Sequence, residues 1–63
     1  MRDPERIDKI LAQLADLWKK YPDLRLGQLI ANTKIHENDL LFYNIEDQNL
    51  IDLLNNFYEG VKQ

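Results

Sequence analysis

The stretch that decides the fold is residues 4–21, which read PERIDKILAQLADLWKKY. Its large apolar side chains recur every three or four residues, so a helix places them along one face. Asp3 can accept a hydrogen bond from a free amide and Pro4 suits a first helical turn, while Pro22 cannot continue a helix. The sequence therefore predicts a first helix over residues 4–21 whose core-facing side chains are Ile7, Ile10, Leu11, Leu14, Leu17, Trp18 and Tyr21.

A second, shorter helix is predicted over residues 25–33. If Arg25 is the cap of this helix, Leu24 and Leu29 have the spacing of a hydrophobic staple and the side chain of Gln28 can bond the amide of Arg25; Asp23 is the alternative cap. Gly27 lies inside this helix, where glycine is unfavourable. Its presence predicts a close approach to the first helix near Trp18.

A third helix is predicted over residues 46–59. Glu46 and Asp47 are acids that complement the dipole at a helix start, and an apolar stripe follows them. Gly60 has the position of a residue that ends a helix in the left-handed conformation. The sequence thus predicts one all-α domain over residues 1–63, a small three-helix bundle.

Residues 34–45 show no clear period and are predicted to be irregular or to form a single helical turn. The segment contains the apolar block Leu40, Leu41, Phe42 and Tyr43. One interpretation, which the sequence favours, is that this block closes the open side of a thin core. The other is that Phe42 and Tyr43 project as a binding surface, since aromatic residues are enriched at interaction hot spots.

The composition argues against an enzyme. The 63 residues include no Cys and no Ser, with Thr33 and His36 as the single Thr and His, so the common nucleophiles and bases are nearly absent. His36 lies close to several acids, but their spacing matches neither a zinc site nor a calcium loop. We predict no catalytic residue, no metal and no cofactor.

The charge is divided unevenly along the chain. Residues 1–34 carry seven Lys or Arg against five acids, whereas residues 35–63 carry one Lys against six acids. The third helix begins with acids and would be repelled by phosphates, so a helix-turn-helix nucleic-acid regulator is a disfavoured alternative. No apolar run is long enough for a membrane helix or a signal core, which predicts a cytoplasmic protein without membrane contact.

Four segments give a resemblance to a known group: the start Asp3 to Ile7, the pair Leu17-Trp18, the run Tyr21 to Ile30, and Phe42-Tyr43-Asn44-Ile45-Glu46-Asp47. Together they resemble a group of small bacterial and phage-borne proteins to which no activity is assigned. The resemblance implies a bacterial cytoplasmic origin and a complete chain. The sequence departs from the group's pattern at Leu40-Leu41, where a short polar stretch ending in Asp-Pro is expected.

We therefore predict a small, non-enzymatic protein-interaction module. The candidate contact residues are Phe42, Tyr43, Glu46, Asp47 and His36. The partner protein is not identified by the sequence, and a homodimer is one version, because three short helices leave apolar area near solvent that a second copy can cover.

Overall fold

The computed structural model describes residues 3–60, and this part of the chain contains helices but no strand. The elements in order are α1 (Glu5–Lys19), α2 (Leu26–Ala31), a 3-10 turn (Ile35–Glu37), α3 (Asp39–Asn44) and α4 (Asp47–Glu59). The predicted all-α class is confirmed, and α4 closely matches the predicted third helix. Residues 3–60 form four α-helices, because the segment predicted to be irregular or a single helical turn contains the 3-10 turn and α3.

The start of α1 follows the sequence prediction. The Oδ1 atom of Asp3 accepts a hydrogen bond from the amide of Glu5 at 2.9 Å, and Pro4 precedes the first helical residue. The carboxylate thereby satisfies one of the amides that have no partner within the helix.

The end of α1 comes two residues earlier than predicted. The amide of Lys20 donates to the carbonyl of Leu17 at 3.0 Å, and that of Tyr21 donates to Trp18 at 2.8 Å. Both bonds span three residues, so the chain tightens out of the α-helical geometry before Pro22 takes effect.

Helix α2 begins as predicted and ends early. The amide of Arg25 donates to Oε1 of Gln28 at 2.8 Å, which confirms the expected bond at the helix start. At the other end, the amide of Thr33 donates to Ile30 at 3.1 Å, and its hydroxyl donates to the same carbonyl at 2.7 Å. Lys34 then adopts a left-handed conformation with φ 62°, which ends the right-handed turn that follows α2.

Both glycine predictions are wrong. A Cβ atom at Gly27 would meet no atom within 4 Å, so no close approach of helices requires glycine there. Gly60 has φ −77° and ψ −13°, and its amide bonds Asn56 at 3.1 Å in the helical pattern. The chain therefore continues in right-handed geometry as far as Gly60.

The core lies between α1, α2 and α4. Its buried members are Leu17, Leu29, Ile51, Leu54 and Tyr58. The partly buried side chains that pack around them are Ile10, Leu14, Trp18, Tyr21, Leu24, Ile30 and Leu50, which confirms that Trp18 and Tyr21 belong to the core. Helices α1, α2 and α4, together with the connection between α1 and α2, thus supply the whole cluster without α3.

Two aromatic polar groups connect the core to neighbouring backbone. The hydroxyl of Tyr58 on α4 donates to the carbonyl of Leu29 on α2 at 2.6 Å and accepts from Nδ2 of Asn32 at 3.3 Å. The indole Nε1 of Trp18 donates to the carbonyl of Leu24 at 2.7 Å. These bonds allow Tyr and Trp to be buried without leaving a polar atom unpaired.

Candidate functional site: helix α3 and the groove beside α4

Helix α3 forms because its short sequence has a cap at each end. The Oδ1 atom of Asn38 accepts a hydrogen bond from the amide of Leu41 at 3.2 Å, which is a typical arrangement at a helix start. Ile45 is extended, with φ −65° and ψ 138°, and separates α3 from α4. The helix is therefore held at a fixed place between the 3-10 turn and α4.

All four large apolar side chains of α3 are exposed. The exposed fractions are 76% for Leu40, 48% for Leu41, 39% for Phe42 and 86% for Tyr43, and α3 has no buried residue. We define these four side chains as the α3 surface. The favoured expectation that this block closes the core is wrong, because α1, α2 and α4 already fill the core.

A groove runs between α3 and the 3-10 turn on one side and α4 on the other. Ile35 is buried, with 5% of its surface exposed, and lies at the groove, where Leu41 and Phe57 are partly exposed. We call it the α3–α4 groove, and its lining residues are Thr33, Lys34, Ile35, Asn38, Leu41, Asn49, Asp52, Leu53, Asn56 and Phe57. Leu41 belongs to both surfaces, so the groove continues into the α3 surface.

The polar residues of this region are mostly acidic or amides. Residues 35–59 contain six Asp or Glu and no Lys or Arg. Among the lining residues Asp52 is acidic and Lys34 is basic, and Glu37 and Asp39 are exposed on the adjoining 3-10 turn and α3. The apolar groove therefore lies in a region of negative charge.

The structure divides the five predicted contact residues between two places. Phe42 and Tyr43 are exposed on α3, and His36 is exposed on the 3-10 turn. Glu46 and Asp47 lie at the start of α4, in a separate depression that they share with residues of α1.

In that second depression Asp47 forms an ion pair with Arg6, and each side chain is about two-fifths exposed, at 38% and 41% respectively. Gln13 and Gln48 exchange two amide hydrogen bonds nearby, at 3.1 and 2.9 Å. These contacts join α1 to α4, so Asp47 has a partner on α1 in addition to the predicted role at the start of its helix.

The lining of the α3–α4 groove was not found from the sequence. Leu53 and Phe57 lie on the apolar stripe that predicts the last helix, and such a stripe is expected to face the core, although 37% of Phe57 is exposed. Asp52 lies on the same helix and carried no signal of its own. The sequence does contain one sign of this groove. The apolar stripe of α4 is wider than the face that one neighbouring helix can cover, so some of its apolar residues remain at the surface.

The described residues contain neither a candidate metal site nor a membrane helix, and the hydroxyl of Thr33 is bonded within the chain. Within residues 3–60 no group of three or more His, Cys, Asp or Glu side chains is placed to hold a metal ion. Across the same residues, no helix is both long and apolar enough to cross a membrane. The hydroxyl of Thr33 donates to a backbone carbonyl and its oxygen accepts from the amide of Ile35 at 3.3 Å.

Comparisons with known proteins give no relative from which a function can be transferred. No protein-family model matches the chain, and neither curated proteins nor solved structures give a match.

Proposed function

We propose that this protein is a non-enzymatic interaction module that binds another protein through the α3 surface. The observation that carries the proposal is the exposure of Leu40, Leu41, Phe42 and Tyr43 on a helix that has no buried residue. Large apolar side chains left exposed in this way are typical of an interaction site. Aromatic residues such as Phe42 and Tyr43 supply large contact area at low entropic cost.

The charge of the region favours a protein over a nucleic acid. Residues 35–59 contain no Lys or Arg that could neutralise a phosphate, and six acids would repel one. A symmetric contact with a second copy of this chain would bring two such acidic regions together, which is also unfavourable. We therefore take a different protein as the partner, in the bacterial cytoplasm that the resemblance implies.

A non-enzymatic role is supported by the state of the few reactive side chains. Thr33 already bonds the backbone at 2.7 Å, and His36 is exposed on the 3-10 turn. General acid–base catalysis needs a base held against a bound substrate inside a site that excludes water. An exposed imidazole on a short turn does not provide this.

A photo-crosslinking experiment in the native host tests the proposal. The photoreactive amino acid p-benzoylphenylalanine replaces Tyr43 in one variant and the exposed Ala12 of α1 in a control variant. Tyr43 is 86% exposed, so the larger side chain does not disturb the fold. We expect a discrete adduct with another protein at position 43 and none at position 12.

Three results would contradict the proposal. The first is the absence of any adduct at position 43, and the second is the same adduct at both positions. The third is an adduct at position 43 with nucleic acid or with a second copy of the chain. An adduct of two copies is recognised because it has twice the mass of the single chain. Circular dichroism of both variants confirms that each is folded before irradiation.

A further inference from the structure

We infer that the α3–α4 groove receives an amphipathic helix with a cationic polar face. This inference rests on the proposed function and adds the chemistry of the partner segment. The groove is bounded by two helices, and a third helix packed between them would complete a compact helical layer at the usual separation of about 8–10 Å. Recognition of an amphipathic helix by an apolar groove is a common mode of binding.

The apolar part of the groove fits the anchors of such a helix. Ile35 lies at the groove with 5% of its surface exposed, and Leu41 and Phe57 are 48% and 37% exposed. A helical ligand presents apolar side chains three or four residues apart, which places successive anchors along one line. The partly exposed Leu41 and Phe57 gain the burial that they lack in the isolated chain.

The polar surroundings select the charge of the ligand. Asp52 lines the groove, and Glu37 and Asp39 are exposed on the elements that form one side of it. Lys34 is the basic member of the lining and reduces this negative charge without reversing it. Lys or Arg on the polar face of a bound helix would meet these carboxylates, whereas acidic residues there would be repelled.

A second copy of this chain does not have the required chemistry at the same surface. Its own groove has the same Asp52 lining with Glu37 and Asp39 beside it, so a symmetric pairing of two grooves would set like charges against each other. A cationic helix has the complementary charge. The inference therefore commits to a different protein that carries a basic amphipathic helix.

The test uses three synthetic peptides of about four helical turns with the same leucine face. Their polar faces carry Lys, Gln or Glu, and binding to the full chain is followed by fluorescence anisotropy of a labelled peptide. We expect the Lys peptide to bind most tightly and the Glu peptide most weakly. Raising NaCl from about 0.05 to 0.5 M is expected to weaken the Lys peptide by roughly fivefold or more, because salt screens exposed charges.

Matched variants locate the binding site on the chain. Leu41→Ala is expected to weaken the Lys peptide about tenfold, the loss typical of a central apolar contact. Asp52→Asn is expected to weaken it about two- to fivefold, as is usual for an exposed charge pair. Leu11→Ala and Asp16→Asn make the same changes at exposed positions of α1 and are expected to leave binding unchanged.

The inference is overturned if the Gln or Glu peptide binds as tightly as the Lys peptide. It is also overturned if the α1 variants lose as much affinity as the groove variants, or if sedimentation shows a dimer that Leu41→Ala dissociates. A protein adduct at position 43 without selective binding of the Lys peptide leaves the proposed function in place and rejects the cationic helix. Selective peptide binding without any adduct rejects the function in the host.

Discussion

The hydroxyl of Tyr58 is expected to contribute measurably to stability, and Tyr58→Phe removes it alone. Tyr58 is 5% exposed, and its hydroxyl donates to the carbonyl of Leu29 at 2.6 Å. If α2 continued, the amide of Thr33 would bond that carbonyl, but it donates to Ile30 instead. The Tyr58 hydroxyl is therefore the donor that satisfies a carbonyl at the end of α2.

The size of the expected loss of stability follows from the carbonyl of Leu29, which Tyr58→Phe leaves without its donor. The Leu29 residue is fully buried, with 0% exposed, so water cannot easily replace the lost hydroxyl. An unsatisfied buried carbonyl costs about 1–3 kcal/mol, while the phenylalanine ring keeps the packing against Tyr21 and Phe57. We expect a loss of about 2 kcal/mol, which for a domain of this size lowers Tm by roughly 8–16 °C.

Urea unfolding followed by circular dichroism measures the effect. The matched control is Tyr21→Phe, because the Tyr21 hydroxyl makes a long bond of 3.4 Å to the carbonyl of Tyr58 and is only half-buried. We expect a loss of about 0.5 kcal/mol or less for the control, with the m-value unchanged in both variants. A Tyr58→Phe loss below about 0.5 kcal/mol, or an equal loss in the control, would refute the reasoning.

Four further substitutions are checked by the same urea measurement. Gly27→Ala is expected to stabilise by about 0.5–1 kcal/mol, because alanine favours a helix and its Cβ meets no atom within 4 Å. Lys34→Gly is expected to stabilise by about 1 kcal/mol by relieving a left-handed residue, and a loss would contradict this. Leu54→Ala, at a residue 1% exposed, is expected to cost about 2–5 kcal/mol and to leave much of the chain unfolded at 25 °C. Arg6→Gln removes the ion pair with Asp47 and is expected to lower the free energy of unfolding by less than about 1 kcal/mol, and by less still in high salt. A loss that does not depend on salt would contradict an electrostatic origin.

The long helices could be predicted because their signal is local. Apolar residues at helical spacing run through α1 and α4, and Asp3 and Pro22 mark the limits of the first of them. The observed helix ends differ by one or two residues where backbone amides bond three residues back instead of four. Such shifts depend on whether an amide bonds the carbonyl three or four residues back, and the pattern of apolar residues does not indicate which of the two forms.

Helix α3 could not be predicted with the same means. Six residues are too few to show a period, and four consecutive apolar side chains fit a buried segment as well as an exposed one. The observed exposure of Leu40 and Tyr43, at 76% and 86%, depends on whether the other helices leave room in the core. That is a property of the packed chain.

The glycine predictions failed for a related reason. Gly27 in a helix indicates either a close contact or a tolerated cost, and only the positions of the neighbouring atoms distinguish the two. The structure shows open space at Gly27. The residue therefore has no packing reason in the isolated chain.

The sequence by itself determined the all-α class, the two long amphipathic helices, the acidic character of residues 35–59 and the scarcity of catalytic side chains. These follow from periodicity and composition, which are properties of neighbours along the chain. Only the tertiary structure decided that Leu41 and Phe57 line a groove, that Asp47 pairs with Arg6, and that α3 lies outside the core. Exposure and pairing depend on which distant residues occupy the available space, and a core already packed by α1, α2 and α4 leaves the apolar side chains of α3 outside it.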